Sequence, residues 1–346
     1  HMKRVNSLLV VGLAVTAIAL AGCAKTPLAK HGKLSVQGTQ LVDAKGKPVQ
    51  LRGFSTQHIA KSDMFVSPRY LKELRDDFSS DVIRVAMYTN RREYGYLLSP
   101  ELKEVVKRVV KDATTEGMYA IIDWHILADK NPMDLVEESK AFFDEMSKEF
   151  SSYKNVFYEL CNEPNGDDVT WGDHIKPYAE QVTEVIRKND PDGIILVGTP
   201  RWSSRPDEAA ADPLSDPQTM YVFHFYPDFA RDGARDLIGR AHETIPLFCT
   251  EFGVSESSGT GKIYPAEIGK WMDFMDERGI SWCNWNLSAL HEKSAALQLS
   301  FKVGTEMRLQ DKLSPSGELV RYYMRRGRVA EQDLAKPDFL GDEIVR

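Results

Sequence analysis

Eight short runs rich in β-branched and aromatic residues recur along this chain, near 49–54, 82–87, 119–124, 155–161, 194–199, 220–225, 246–252 and 281–286, with longer amphipathic stretches between them. This alternation is the strongest constraint on the fold, because a strand followed by a helical crossover returns as a parallel neighbour. Tyr119-Ala120-Ile121-Ile122 and Ile194-Ile195-Leu196-Val197 are apolar without a two-residue period, as expected of strands covered on both faces. Helical stretches are clearest at 100–116, 133–151, 173–189 and 265–278, and one at 314–326 follows the eighth run. Ser99-Pro100-Glu101 offers a cap residue, a first-turn proline and an early acidic charge. The pattern predicts an α/β fold, a single (β/α)8 TIM barrel over residues 34–330, and a chain of 346 residues accommodates one.

Ahead of the first run, residues 34–42 and 47–52 flank the turn-forming cluster Asp43-Ala44-Lys45-Gly46, which predicts an N-terminal β-hairpin leading into the barrel. Residues 24–33 are short, polar and basic with Pro27 and read as a tether; residues 331–346 read as a C-terminal tail. Residues 1–23 read as an export signal. His1 and Met2 look like a cloning scar ahead of a natural start, Lys3 and Arg4 supply positive charge, and Leu8 to Leu20 is an apolar run of 13 residues. That run is well short of the roughly 20 residues a membrane span needs. It ends in Leu20-Ala21-Gly22-Cys23, which resembles the bacterial lipobox; lipidation of Cys23 would make this an exported, cell-envelope lipoprotein whose membrane contact is its anchor. Setting Cys23 aside leaves Cys161, Cys249 and Cys283, an odd number that precludes a complete disulfide framework. Each lies two residues before a candidate site residue and reads as a small buried hydrophobe.

Hydrophobic residues at 42% and charged residues at 27% suit an ordinary globule. A net charge of −7 leaves no basic surface for a phosphate backbone, so nucleic acid is excluded as a partner.

In a barrel of this kind the site lies where the strands end. The second run contains Arg84 and ends at Tyr88. The third ends in Asp123-Trp124-His125 and the fourth in Asn162-Glu163-Pro164. The fifth leads to Trp202, the sixth ends in His224-Phe225-Tyr226, the seventh in Glu251-Phe252-Gly253 and the eighth in Trp285-Asn286. Glu163 and Glu251 are candidate catalytic residues, since cleaving a glycosidic bond needs one acid for the leaving oxygen and one carboxylate for the oxocarbenium-like carbon, about 5 to 5.5 Å apart when configuration is retained. Trp285, Trp202 and Tyr88 offer flat faces for pyranose rings, whereas Trp124, Trp271 and Trp282 sit inside predicted elements and read as core. No phosphate loop, Ser-His-Asp set or zinc site is present, so no cofactor or metal is expected.

Arg84, His125, Asn162-Glu163-Pro164, His224, Tyr226, Glu251 and Trp285 occur in the order and at the strand ends seen in glycoside hydrolase family 5, and the chain resembles its bacterial endoglucanases over roughly residues 34–326. Ile121-Ile122-Asp123-Trp124-His125-Ile126-Leu127 and Asn162-Glu163-Pro164-Asn165-Gly166 carry the resemblance most specifically. It implies that Glu163 is the proton donor and later the base, and that Glu251 is the nucleophile. Arg84 and Tyr226 would support Glu251, Asn162 would bind the sugar 2-hydroxyl, and His125 and His224 would donate to sugar hydroxyls and to the acid/base. Two places depart from the family pattern. His58 falls one position late after the first run, with Lys61 where the family has an exposed tryptophan; after the eighth run Glu292 is retained, but Leu290-His291-Glu292-Lys293 displaces the family's lysine. His58 and Glu292 remain substrate-binding candidates. The implied activity is retaining endo-hydrolysis of cellulose-type or mixed-linkage β-glucans. A β-mannanase or xyloglucanase on the same barrel, or a surface lipoprotein that captures glycans without cleaving them, are the alternatives.

Overall fold

A computed structural model describes residues 25–346; the signal, the lipobox and Cys23 lie outside these described residues. A small antiparallel pair, β1 (Ser35–Gln37) and β2 (Gln40–Val42), precedes eight parallel strands. These are β3 (Arg52–Thr56), β4 (Val82–Tyr88), β5 (Tyr119–His125), β6 (Val156–Glu159), β7 (Ile194–Val197), β8 (Thr219–Phe225), β9 (Leu247–Phe252) and β10 (Ser281–Leu287). They pair in sequence order, and β10 closes on β3. The main crossover helices are α3 (Pro68–Phe78), α4 (Leu102–Thr115), α5 (Val136–Phe150), α6 (Lys176–Asn189), α9 (Asp232–His242) and α10 (Pro265–Arg278), with α11 (Pro315–Arg325) after β10; the shorter α1 (Pro27–His31), α2 (Ile59–Ser62), α7 (Pro200–Ser203) and α8 (Pro206–Ala211) complete the set.

Strand alternation divides the barrel into two chemistries. Outward-facing residues such as Ile83, Ile122, Trp124, Tyr158, Phe223 and Trp282 pack against the helices in one continuous core. Inward-facing residues start apolar at the N-terminal end, where Val82, Tyr119, Ile121, Phe157, Val222 and Phe248 form a second cluster. Two residues further along the same strands, the inward positions become Arg84, Asp123, Glu159, His224 and Thr250, all buried. The period of two therefore builds an apolar floor beneath a polar layer. Trp124, Trp271 and Trp282 are core residues, and Cys161, Cys249 and Cys283 are buried free thiols.

Several expectations about the N-terminal region change. The hairpin pairs β1 with β2 through Gly38-Thr39, not across Asp43–Gly46; the latter turn brings Pro48 back to bridge Val42. Gly38, at φ 60°, was the missed turn signal. Residues 24–33 are not a simple tether, because α1 docks on the barrel. Thr26 caps it, Leu28 N donates to Gly117 O at 2.9 Å, and Leu28 packs with the floor cluster. The tail is also tied down: Val345 bridges Ile263, and Leu334 is buried. Helices α3 and α9 were not singled out in the sequence, although Ser67 caps α3 and Tyr70, Leu71, Leu74 and Phe78 give it a buried stripe.

Gly53 of β3 lies opposite Val82, and a Cβ there would fall 1.9 Å from the Val82 carbonyl oxygen. Backbone cannot swing aside as a side chain can, so Gly53→Ala should destabilise by at least the roughly 1–3 kcal/mol typical of overpacking. Thermal or denaturant unfolding checks this; an unchanged midpoint would mean that β3 and β4 are not so closely apposed.

Candidate active site

At the level where the inward side chains turn polar, Arg84 sits wholly buried at the centre. Its Nε and Nη2 donate to Glu159 at 2.8 and 3.1 Å, Nη2 also donates to Asn162 Oδ1 at 2.7 Å and pairs with Asp123 at 3.0 Å, and Nη1 donates to Glu251 Oε2 at 2.9 Å. Burial opposes its charge, but Asp123, Glu159 and Glu251 outweigh it and hold the guanidinium well above its ordinary pKa. One cation thus serves three carboxylates. Burial pushes Asp123 and Glu159 up to about 7 even though Arg84 pulls both down.

Glu251 also accepts from the Tyr226 hydroxyl at 2.6 Å, so both of its oxygens face donors, the environment of a carboxylate. It reaches the interior beside its chain neighbour Thr250, which strict alternation would forbid. The β8–β9 register shifts between Val222 and His224, and that irregularity re-aims the side chain. Glu163, 8% exposed, lies just past the end of β6. Burial and then the charge of Glu251 raise its pKa well above the carboxylate range, against Arg84. Oxygens of Glu163 and Glu251 come within 4.8 Å of one another. Neighbouring carboxylates whose surroundings push one toward protonation and supply the other with donors are what acid-plus-nucleophile chemistry requires.

His224 Nδ1 is 2.8 Å from Glu163 Oε1 and Nε2 is 2.8 Å from Thr250 Oγ1. Burial, with Arg84 and His125, lowers its pKa far below the usual value, so the close contact to Glu163 joins a neutral imidazole and an acid and is not an ion pair. Both ring nitrogens are engaged; His224 serves Glu163 and has no nitrogen left for a sugar hydroxyl. His125 is likewise neutral, its pKa lowered by burial to about 3, and its Nδ1 lies 2.6 Å from Asp123. With Nδ1–H donating to Asp123, Nε2 becomes an acceptor toward the cleft, where a donor was expected. Asn162 uses its oxygen for Arg84 and one N–H for Ile126 O at 3.0 Å, leaving one N–H for a ligand. The Glu163–His224–Glu251 group has three potential metal-ligand atoms, but Arg84 and Tyr226 occupy Glu251 and His224 occupies Glu163. A cation would have to displace these donors beside a guanidinium, so the arrangement does not suit a metal.

A cleft of about 730 Å³ opens above these groups. Trp285, 8% exposed, faces it and stacks behind on His125 at 5.4 Å. Tyr88 lines the cleft but has no free face, because it is sandwiched between His125 at 4.3 Å and His58 at 4.7 Å. It cannot serve as the sugar platform expected of it. His58 is buried behind Tyr88, accepting from Tyr88 N and contacting Tyr94 O, both at 3.4 Å. Gln57 lines the cleft in its place, and its Oε1 is buried without a hydrogen-bond partner. Lys61 is exposed on α2 and, like Leu290, does not line this cleft. Glu292 does, held by Asn286 Nδ2 at 2.7 Å.

On the opposite side Trp202, 54% exposed, projects from α7, where Arg201, Trp202 and Ser203 all have φ of 54–57°. Bonds to the backbone on either side of Glu163 hold this strained turn: Trp202 N donates to Pro164 O at 2.9 Å and Ser203 Oγ to Asn162 O at 2.7 Å. Phe229, 67% exposed beside it, was not singled out, because it lies past the end of β8 in a loop with no strand-end signal.

The sequence matches the cellulase family, glycosyl hydrolase family 5, over residues 42–291. It is 46% identical over 281 residues to endoglucanase A of Evansella cellulosilytica, covering 81% of this chain and 57% of that protein. It is 42% identical over 319 residues to endoglucanase 5 of Pectobacterium carotovorum subsp. carotovorum, covering 92% and 62%. The chain thus spans about three-fifths of the length of these curated relatives. The catalytic domain of a Thermobifida fusca endoglucanase, solved in complex with cellotetraose, superposes with a TM-score of 0.81 at 38% identity, covering 87% of this chain and 100% of that one.

The shared guanidinium makes a testable electrostatic statement. With folded-state pKa values near 7, Asp123 and Glu159 add stability that is complete below their unfolded pKa of about 4 and is lost as pH rises through about 7. Removing Arg84 leaves their anions unpaired. Arg84→Leu should therefore cost roughly 3–5 kcal/mol at pH 7.5, and clearly less at pH 5, where the orphaned acids take up protons. Denaturant unfolding at the two pH values checks it; an equal loss at both would mean that Arg84 does not compensate these charges.

Proposed function

Because the chain belongs to glycosyl hydrolase family 5, we propose that it is a retaining endo-β-1,4-glucanase of cellulose-type or mixed-linkage β-glucans, with Glu163 as general acid/base and Glu251 as nucleophile. The observation that carries this reading is the pair itself: carboxylates within 4.8 Å, Glu163 in surroundings that favour its proton and Glu251 between Arg84 and Tyr226. In the first step Glu251 attacks the anomeric carbon while the Glu163 proton passes to the glycosidic oxygen, so the C–O bond breaks and a glycosyl-enzyme forms. In the second, Glu163 takes a proton from water, and the resulting attack releases the sugar with its configuration restored.

The leaving sugar must lie on the side of the acid that protonates it. That is the Trp202 and Phe229 side, since Trp202 is bonded to the backbone beside Glu163. The glycone then lies toward Gln57, Trp285 and Glu292. Asn162, with its remaining N–H, is the donor for the 2-hydroxyl, and His125 Nε2 is an acceptor beneath Trp285.

Glu163→Ala and Glu251→Ala should each reduce turnover of barley β-glucan and carboxymethyl-cellulose by about 10³-fold or more, with folding intact. Azide should restore turnover to Glu251→Ala and yield the glycosyl azide of inverted configuration. Activity near that of the native protein in either variant removes the assignment, and faster turnover of mannan or xyloglucan by the native protein removes the substrate.

The lipobox-like Leu20-Ala21-Gly22-Cys23 supports export and anchoring of the chain to the cell envelope through a lipidated Cys23. Among the described residues no helix is long and apolar enough to cross a membrane. Membrane fractions of the host should contain the enzyme, and Cys23→Ser should release it or leave its signal uncleaved; recovery of the unaltered protein wholly in the soluble fraction would contradict the anchor.

A further inference from the structure

We propose that Thr250 and Glu159 are positioning residues that fix the proton of His224 on Nε2 and so hold Glu163 in its protonated form. The inference rests on the acid/base role proposed for Glu163 and extends it two links into the barrel, to buried residues that touch no substrate.

Hydrogen-bond direction in this chain is set from its fixed end, Arg84. Arg84 has only donors, and it donates to both oxygens of Glu159 at 2.8 and 3.1 Å, so once ionised, above its pKa of about 7, Glu159 acts only as an acceptor. Thr250 Oγ1 lies 2.7 Å from Glu159 Oε1 and donates its single proton there. That hydroxyl can then only accept from His224 Nε2 at 2.8 Å, which must carry a hydrogen. His224 is neutral, since burial, Arg84 and His125 all oppose its charging, and a neutral imidazole carries one proton. Nδ1 is therefore bare. Its partner at 2.8 Å is Glu163 Oε1, and only the O–H of a protonated carboxyl can supply that bond.

Were Glu163 ionised, a nitrogen lone pair would face a carboxylate oxygen at the same distance. The relay thus raises the proton affinity of Glu163 beyond what burial and the Glu251 charge supply. It acts in both chemical steps: it keeps the proton available for the leaving oxygen, and it makes the resulting carboxylate a better base toward water. The other ionisable groups around the pair are Arg84 and Tyr88 on β4, Asp123 and His125 on β5, Tyr226 just past β8 and Glu251 on β9. The hydrogen-bond partner of His224 Nε2 is Thr250.

Two measurements on the full chain test this. Nitrogen-15 spectra of histidine-labelled enzyme, with His224 assigned by comparison with His224→Gln, should show a proton on Nε2 and a bare Nδ1 above pH 7, where Glu159 is ionised. The opposite tautomer overturns the proposal without any variant having to fold. Thr250→Val keeps the shape and removes the acceptor, which frees the proton to move to Nδ1 and donate to Glu163. The alkaline limb of kcat/KM should then move to lower pH by roughly one unit, the size expected of one buried hydrogen bond. KM should change less than kcat, and Thr250→Ser should restore the profile. An unmoved limb in folded Thr250→Val overturns the relay. Failure of the acid/base reading looks different: Glu163→Ala would keep its activity whatever tautomer His224 shows.

Discussion

The barrel interior is organised by a shortage of positive charge. Arg84, buried with no contact to solvent, is bonded to Glu159 and Glu251 and paired with Asp123, and it binds Asn162 beside Glu163. Four carboxyl groups around one guanidinium in a low-dielectric interior cannot all be ionised, so protons must be kept somewhere. Nearby oxygens of Glu163 and Glu251 have different surroundings: Arg84 and the Tyr226 hydroxyl face Glu251, and His224 Nδ1 faces Glu163. The floor of Val82, Ile121, Phe157, Val222 and Phe248 keeps the layer dry from below, and α1 with the β1–β2 pair closes that end.

The same layer reaches outward to the sugar-binding groups. Trp285 rests on His125, which is bonded to Asp123, itself paired with Arg84, so the ring facing the cleft is braced by the charge cluster. On the other side, the turn bearing Trp202 hangs on the carbonyls of Asn162 and Pro164. The rings on both sides of the cleft are thus tied to the residues flanking Glu163, a coupling through which contacts at a distance can act on orientation at the carboxylate pair.

Much of this was legible in the sequence, because two-residue alternation and strand endings are local signals. The barrel, and the gathering of Glu163, Glu251, Arg84, Tyr226 and Trp285 at its mouth, follow from what each apolar run contains or ends with. Features set by contacts between distant segments were not legible. The register of the loop after β3 put Gln57 at the cleft and His58 behind Tyr88, and a single sequence does not fix that one-residue choice. Tyr88 reads as a platform until His58, just past β3, and His125 of β5 are seen to cover both faces. The histidine roles depend on tautomers chosen by partners on other strands, and Thr250 and Glu159 look like ordinary strand residues until the β8–β9 irregularity is seen to turn Glu251 inward beside Thr250. The docking of α1 rests on Leu28 meeting the barrel floor, a tertiary contact within a stretch whose composition reads as a linker.

The central claim, that the buried charge cluster makes Glu251 the nucleophile and Glu163 the acid, is tested most directly by trapping the covalent intermediate. A cellobioside with fluorine at C2 and a reactive leaving group forms a glycosyl-enzyme but releases it slowly, because the substituent destabilises the oxocarbenium-like transition state. Mass spectrometry of the native enzyme should show one added fluorocellobiosyl group, carried by the peptide containing Glu251. Label on another residue, or turnover that leaves no adduct and inverts the anomeric configuration, would contradict the account.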